Sequence, residues 1–289
     1  MIDETSTRRA LLRAAAATLA MPALGLRAQE LADLDKVRAS GVLKVAVYKD
    51  NAPYSDGKGS DLGGVDVALA QGLARELDLK LQLLPFDAGE NMGDDLRNMV
   101  WRGHYLGYGP ADVMLHVPAD KHLMRQNPQV MLFAPYARET LVIFHDRRRL
   151  PDVKSGNDLV KLPLGAERGS GAASALIGYQ SGLLRSQVRF FENGVQAASA
   201  VIDGDIAAAY VSRAQAETAL FRRQAAGEQF LFSELGLPGL QDNGWPLGMA
   251  TKSSHKLLAG ALEDALKRLR DKGELLAIFR SSGLTLVTP

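Results

Sequence analysis

The sequence predicts an α/β protein of two lobes, each built on a mixed, mainly parallel sheet flanked by helices. Three observations lead there. At 289 residues the chain has the length of roughly two domains, taking about 100–200 residues for each. Hydrophobic residues make up 46% of it, with 12 prolines and no low-complexity tract, which describes a folded chain. Segments of strand-like alternation then take turns with segments of helical spacing along almost the whole length, which points to β-α-β units and parallel pairing.

The first unit is the plainest. Residues 42–48 (VLKVAVY) alternate and are rich in valine, as a strand requires. Asn51-Ala52-Pro53-Tyr54-Ser55-Asp56-Gly57 supplies turn residues, and Gly63-Gly64 precedes Asp66, a good helix N-cap. Val65, Leu69, Leu73 and Leu77 follow at helical spacing, and residues 79–86 alternate again. A helix is expected over 93–102, with Leu96, Met99 and Val100 facing the core, then a glycine-rich loop over 103–110 and a buried strand over 112–117. Beyond it, strands are expected at 141–145, 162–166, 188–191 and 206–211, with helices over 172–184 and 195–202. After Gly244-Trp245-Pro246 come a strand over 247–251 and a long helix over 255–270, whose Leu258, Leu262, Leu266 and Leu269 form one stripe. Lys272-Gly273 ends that helix, and a short one over 274–280 follows.

Composition excludes several functions. The absence of cysteine removes disulfide frameworks, cysteine-ligated zinc, iron–sulfur clusters, covalent haem and thiol nucleophiles together. With 34 Lys+Arg against 33 Asp+Glu there is no basic excess, so no nucleic-acid partner is expected, and Arg147-Arg148-Arg149 reads as a solvated loop. The N-terminus reads as an address. Thr7-Arg8-Arg9-Ala10-Leu11-Leu12-Arg13, an Ala/Leu run and Leu26-Arg27-Ala28 have the charged, apolar and small-residue parts of a signal peptide, and the paired arginines match twin-arginine export. Residues 1–28 are set aside on that ground, with cleavage expected near Ala28. The 261 residues left carry 30 basic and 31 acidic groups, a net charge of −1. The apolar run, interrupted by Pro22 and Gly25, falls short of the about 20 residues of a membrane span. A soluble periplasmic product is expected.

Four blocks, in order, resemble the bacterial extracellular solute-binding proteins of family 3, which include the polar amino-acid receptors. The first is LKVAVYKDNAPYSD with GGVDVALAQGLARELDLKLQLLPF, and the second LRNMVWRGHYLGYGPADVML followed by VMLFAPYARETLVIF. The third pairs LPLGAERGSGAASALIGYQSG with AASAVIDGDIAAAYVSRAQAE, and the last is WPLGMATKSSHKLLAGALEDALKRLRDKGELLAIFRSSG. The resemblance implies a two-lobed periplasmic binding-protein fold of type II, with residues 29–138 and 248–289 in one lobe and 139–247 in the other. It also implies a small-molecule ligand between lobes that close over it, a membrane permease as partner, a monomer, and no cofactor, metal or catalytic group.

Site positions carry over from the resemblance where the local motif matches. Tyr54, after Pro53, corresponds to the aromatic that packs on the ligand. Arg168, Gly169 and Ser170 fall at a strand–loop–helix turn, where free N–H groups and the helix dipole suit an anion. Tyr210 and Ser212 lie where second-lobe residues reach the ligand, Tyr210 as a hydrogen-bond donor. His116 and Lys121 belong to the segment closing the strand at 112–117. Amino-acid receptors usually place an arginine there for the ligand carboxylate, whereas HVPADKH offers at best Lys121, a point charge without two-pronged geometry. For the α-ammonium the family commonly has an acid where this chain has Ser212. The expected ligand is therefore a small polar or anionic solute rather than an ordinary α-amino acid.

The motifs DNAPYSD, ADVMLHVPAD and APYARE are similar to the subgroup associated with periplasmic quinoprotein (PQQ) alcohol dehydrogenases, which makes such a dehydrogenase the alternative partner. The aromatic loop Gly103-His104-Tyr105-Leu106-Gly107-Tyr108-Gly109-Pro110 stands where the family has a short turn, and reads either as a Gly-rich surface connection or as a loop that faces ligand or a partner. Enzyme chemistry has no foothold: there is no Gly-x-Ser-x-Gly elbow and no Walker loop, and His116, Asp120 and His122 lack zinc spacing. Trp245 marks the expected second crossing, placed to pack at the hinge or to touch ligand.

Overall fold

The structure, a computed structural model, describes residues 33–240 and 244–289, so the signal sequence inferred at 1–28 lies outside the described residues. Helix α1 (Asp33–Ser40) leads into β1 (Val42–Tyr48), α2 (Val65–Glu76) and β2 (Lys80–Phe86). A short α3 (Met92–Leu96) runs into a π turn at Arg97–Trp101, followed by β3 (Val113–Pro118), α4 (Lys121–Gln126) and β4 (Val130–Glu139). Then come β5 (Leu141–Asp146), β6 (Leu164–Glu167), α5 (Gly171–Gly178), β7 (Val188–Phe191), α6 (Gly194–Ile202), β8 (Ala208–Ser212), α7 (Arg213–Arg223) and β9 (Phe230–Ser233). The chain finishes with β10 (Trp245–Lys252), α8 (Lys256–Asp271) and α9 (Glu274–Ser281).

Two five-stranded sheets result, ordered β2-β1-β3-β10-β4 and β7-β6-β8-β5-β9. In the first, β2, β1 and β3 run parallel and β10 is antiparallel to both β3 and β4. In the second, β7, β6 and β8 are parallel, while β5 is antiparallel to β8 and β9. This is the two-lobed α/β architecture that the alternation of elements predicts.

Each core follows from its sequence pattern. In β1, Leu43, Val45, Ala46 and Val47 have no exposed surface, as expected of a central strand covered on both faces. Helix α2 buries Val65, Leu69 and Leu73 against the stripe Leu258, Leu262, Leu266 and Leu269 of α8. In the second lobe small residues do the packing: Ala197 and Ala198 of α6 lie with Val142, Phe144 and Ala209 of the sheet, which lets helix and strands approach closely.

Several boundaries differ from the sequence reading. Gly64, not Asp66, is the N-cap of α2, and Asp66 sits fully buried in the first turn. The helix expected over 172–184 stops at Gly178, because Gln180 (φ 41°) and Ser181 (φ 60°) leave the helical region. Strand β10 begins at Trp245 because Trp245 and Pro246 pair with Glu139 and Arg138, and the Pro246 carbonyl accepts the Ala119 N–H (2.8 Å). Helix α7 and strand β9 carry weak patterns of their own and take their shape from the second-lobe core.

The chain crosses from the first sheet to the second between β4 and β5, through Thr140, and returns into β10 past Gly244. Gly244 has φ +65°, and a Cβ there would run into the carbonyl oxygen of Glu139. Away from this crossing, the segment after α9 also joins the halves: the Arg138 N–H donates to the Val287 carbonyl (2.9 Å), and the Thr285 N–H donates to Glu217 Oε2 of α7 (2.8 Å). Arg222 of α7 lies 3.7 Å from Asp56. Among the described residues no helix is long and apolar enough to cross a membrane.

Two substitutions check this account by denaturant unfolding. Leu262→Ala, in the fully buried seam between α2 and α8, is expected to lose about 2–5 kcal/mol of stability through lost burial and the cavity left behind. Gly244→Ala is expected to lose about 1–3 kcal/mol from its left-handed backbone alone, with the clash against Glu139 adding to it.

Candidate functional site

Where the two sheets meet at the crossing, a cavity of about 210 Å³ is lined from both halves. Asn51, Ala52, Tyr54, His116, Glu139 and Trp245 line one side, and Glu167, Ser170, Gly171, Tyr210, Ser212 and Gln215 line the other. Its position follows from the topology, since β1, β6 and β8 all end toward it and loops after strands are where α/β folds gather functional groups.

The first wall is a turn tied to a helix start. Asn51 and Ser55 exchange backbone hydrogen bonds (2.7 and 2.9 Å), closing the turn that carries Tyr54. The carbonyls of Pro53 and Tyr54 accept the N–H groups of Val65 and Asp66 (3.3 and 2.8 Å), so the turn satisfies the otherwise open first turn of α2. That approach needs Gly64, whose φ is +124° and whose Cβ would strike the Tyr54 carbonyl. The Tyr54 ring is thereby buried and lies 4.3 Å, centroid to centroid, from the His116 ring.

Behind this wall sits an ionisable cluster. Asp66 accepts the Tyr136 hydroxyl at 2.7 Å, and the same hydroxyl oxygen accepts the His116 backbone N–H at 3.0 Å. His116, itself at φ +62°, brings Nδ1 to 3.1 Å from Asp66 Oδ2, an ionic contact that lies off the hydrogen-bonding direction. Burial by itself pulls the His116 imidazole down, but the charge and closeness of Asp66, with Glu139 adding, outweigh it and the net direction is up. Glu139 is only 5% exposed. Burial pushes its carboxyl above the usual range, against the opposing pull of His116 and of hydrogen bonds from the Tyr54 and Ser212 hydroxyls. Burial, with these carboxylates nearby, also lifts the Tyr54 and Tyr136 phenols, which stay neutral donors.

The second wall is built from helix caps. Ser212 caps α7 by accepting the Gln215 N–H (3.2 Å), while Gln215 Oε1 accepts the Ser212 N–H (3.1 Å), a reciprocal capping box. Gln215 Nε2 donates to Glu167 Oε2 (2.8 Å), which also accepts the Gly194 N–H at the start of α6 (3.0 Å). Ser170 caps α5, accepting from Ala173 N (3.1 Å) and donating to the Glu167 carbonyl (2.8 Å). The Tyr210 hydroxyl donates to the Leu235 carbonyl (3.1 Å).

Of the residues selected from sequence, Tyr54, His116, Ser170, Tyr210 and Ser212 line the cavity, while Lys121, Arg168 and Gly169 do not. Lys121 is an exposed first residue of α4, Arg168 is exposed with its guanidinium 5.7 Å from the Phe190 ring, and Gly169 is an exposed turn residue at φ +77°. His116, Asp120 and His122 stay apart: Asp120 caps α4 through the Leu123 N–H (2.7 Å) and His122 points to solvent. Among the described residues no group of metal-ligating side chains converges. Sequence reasoning passed over Asn51, Glu139, Glu167 and Gln215. Gln215 was readable as the fourth residue of a Ser-x-x-Gln capping box, and Glu167 as an acid ending a strand. Glu139 had a weaker signal, an acid closing an otherwise apolar strand. Trp245 both pairs across from Glu139 at the crossing and lines the cavity.

No family model matches the chain, and no curated protein matches it. Solved structures do. An ancestral cationic amino-acid solute-binding protein aligns with a TM-score of 0.64 at 20% identity, covering 86% of this chain and 98% of the other. An amino-acid ABC transporter substrate-binding protein from Streptococcus pneumoniae, bound to L-arginine, aligns with a TM-score of 0.60 at 20% identity, covering 89% of this chain and 100% of the other. An ABC uptake transporter substrate-binding protein from the same organism, with bound histidine, gives 0.61 at 14% identity over 89% and 98%. These similarities establish the two-lobed binding-protein fold.

The upward shifts of His116 and Glu139 fix a pH dependence. Both groups hold their protons more tightly folded than unfolded, so the linked stability is complete below the unfolded values and falls as pH rises through the folded ones. For His116 the loss begins above about pH 6.5, the ordinary histidine value. Thermal unfolding of the protein and of His116→Asn from pH 5.5 to 9 should show the wild-type advantage shrinking as pH rises; an advantage that grows with pH would contradict the assignment.

Proposed function

We propose that this protein is a periplasmic solute-binding protein, exported by the twin-arginine signal at 1–28, whose lobes close on a small polar solute and present it to a membrane permease. It acts as a monomeric binder and not as an enzyme. The observation that carries this reading is the cavity at the crossing, lined from both sheets and bounded by Tyr54, Trp245 and Tyr210. Its volume of about 210 Å³ lies below the ~300–1,000 Å³ of pockets for drug-sized ligands, which sets the solute at the scale of a small metabolite. The solved neighbours, bound to L-arginine or histidine, hold solutes of that scale on the same fold. The anionic half of the expected ligand rested on Lys121 and Arg168 together with the Ser170 turn; Ser170 lines the cavity while both basic groups lie outside it, and the polar half is the one carried forward.

The test is native mass spectrometry of the purified protein for a co-purifying small molecule, followed by thermal shift against a metabolite panel. A ligand at a hundred times its Kd stabilises by about 2.7 kcal/mol, a readily measured shift, and Trp245→Ala should abolish it. No bound molecule and no shift with any compound would overturn the reading.

One observation favours the second reading, an accessory protein of a periplasmic quinoprotein alcohol dehydrogenase. On the loop 103–110, Tyr105 is 88% and Leu106 69% exposed, with His104 stacked on Tyr108 at 4.2 Å. Under that reading Tyr105→Ala weakens binding to a purified PQQ-dependent dehydrogenase while solute binding by the isolated protein is absent.

A further inference from the structure

We propose that the cleft recognises an organic cation, an ammonium or guanidinium group, through the carboxylates of Glu139 and Glu167, with Glu139 joining the solute to both lobes. This deepens the solute-binding reading above and rests on it.

The first observation is a contrast in how this protein treats its shielded carboxylates. Glu76, whose side chain is 8% exposed, meets Arg268 (2.6 Å) and Lys272, and Asp146, at 6%, meets Arg148 at 2.7 Å. Asp66, with no exposed surface, has His116 at 3.1 Å. Among the described residues neither Glu139 nor Glu167 has a Lys or Arg within ion-pair distance. Glu139 has the neutral hydroxyls of Tyr54 and Ser212 as neighbours, and Glu167 takes hydrogen bonds from the Gly194 N–H and the Gln215 amide. Asp95 is likewise held by neutral donors, the Tyr48 hydroxyl (2.8 Å) and the Gly89 N–H (2.7 Å), but it does not line this cavity. A buried carboxylate without a cation, as Glu139 is, is costly, and here the cation's place is the cavity, which half-buried Glu167 lines from the other side.

The second observation is the make-up of that cavity. Among the described residues its ionisable lining is Glu139, Glu167 and His116 with the two tyrosines, and no Lys or Arg lines it. The His116 charge is matched by Asp66, so the net field on a solute is negative. A carboxylate offers about four acceptor positions, so Glu139 has room for the N–H groups of a solute. Tyr54 and Trp245 add aromatic residues to the same lining. The Asn51 amide nitrogen is buried without a partner and lines the same cavity, a waiting donor for an acceptor elsewhere on the solute.

Glu139 also lies where a cation would act on both lobes. It ends β4 immediately before the crossing, Tyr54 reaches it from the first lobe, and Ser212 reaches it from the start of α7 in the second. The titratable groups facing it are Tyr54, His116 and Asp66 behind His116; Ser212 and Trp245 complete its surroundings. A bound cation favours the ionised carboxylate, so Glu139 releases its proton on binding and affinity rises with pH.

Isothermal titration at pH 5, 6, 7 and 8 with agmatine, arginine, citrulline and succinate tests this. Agmatine keeps the guanidinium and lacks the carboxylate, citrulline keeps the shape and lacks the charge, and succinate is the anion. The expected result is binding of agmatine at least tenfold tighter than citrulline or succinate, strengthening as pH rises. Glu139→Gln should lower agmatine affinity at least tenfold and flatten the pH profile, and Glu167→Gln should lower affinity while leaving the slope. Unfolding midpoints and circular dichroism of both variants establish that they fold. Citrulline or succinate binding as tightly as agmatine, or a folded Glu139→Gln that binds agmatine unchanged, overturns the inference. If the protein binds an uncharged or anionic solute and none of the cations, the inference fails and the solute-binding reading stands; if it binds no solute at all, both fail.

Discussion

Asp66 is a carboxylate with no exposed surface in the first turn of α2, and the shape of the cleft depends on how that charge is satisfied. Burying a carboxylate costs several kcal/mol unless donors or an opposite charge surround it. The Tyr136 hydroxyl on β4, the His116 imidazole on β3 and the helix N-terminus itself provide those partners. The same contacts therefore lock three elements of the first lobe in register, and they hold His116 in a left-handed conformation with its ring against Tyr54. The wall of the cavity is a by-product of satisfying one buried charge.

The second lobe supplies its wall by a different route. There, the polar groups at the cleft are mostly occupied in finishing helices: Ser170 and Ser212 cap α5 and α7, and Glu167 satisfies an N–H at the start of α6 while holding Gln215. Such side chains are pre-set in place by the helices they cap, so little further ordering is needed when something binds. Glu139 stands between the two systems. It has a hydroxyl near it from each side, Tyr54 and Ser212, and sits opposite Trp245 at the crossing, where Gly244 makes room for its backbone.

Much of this was legible in the sequence, and the reasons differ from element to element. The stripe Leu258, Leu262, Leu266 and Leu269 identified α8 because a helix that buries one face must repeat apolar residues at its own period. The alternation at 42–48 and 188–191 identified strands for the same reason with a shorter period. Asp66 was misplaced as an N-cap because its residue type suits that role, while its true partner, Tyr136, lies 70 positions away. The helix after Ser170 was drawn too long because Gln180 and Ser181 carry no local signal for positive φ.

For the site, Tyr54, His116, Ser170, Tyr210 and Ser212 were reachable because each lies in the later part of a strand, in the loop after one or at the start of a helix, positions that a β-α-β reading brings to one edge of a sheet. Lys121 and Arg168 lie at the same kinds of position, yet their side chains turn to solvent. Sequence position marks where the backbone emerges but not which way a long, strongly hydrated cation points, and that is settled by what competes with water for it. The amino-acid order by itself determined two α/β units, their cores and a cleft between them, since these follow from local periodicity and short connections. The charge of the cleft was decided only by tertiary structure, because it depends on which carboxylates find a cation elsewhere in the fold, as Glu76 does, and which, like Glu139 and Glu167, are left facing the cavity.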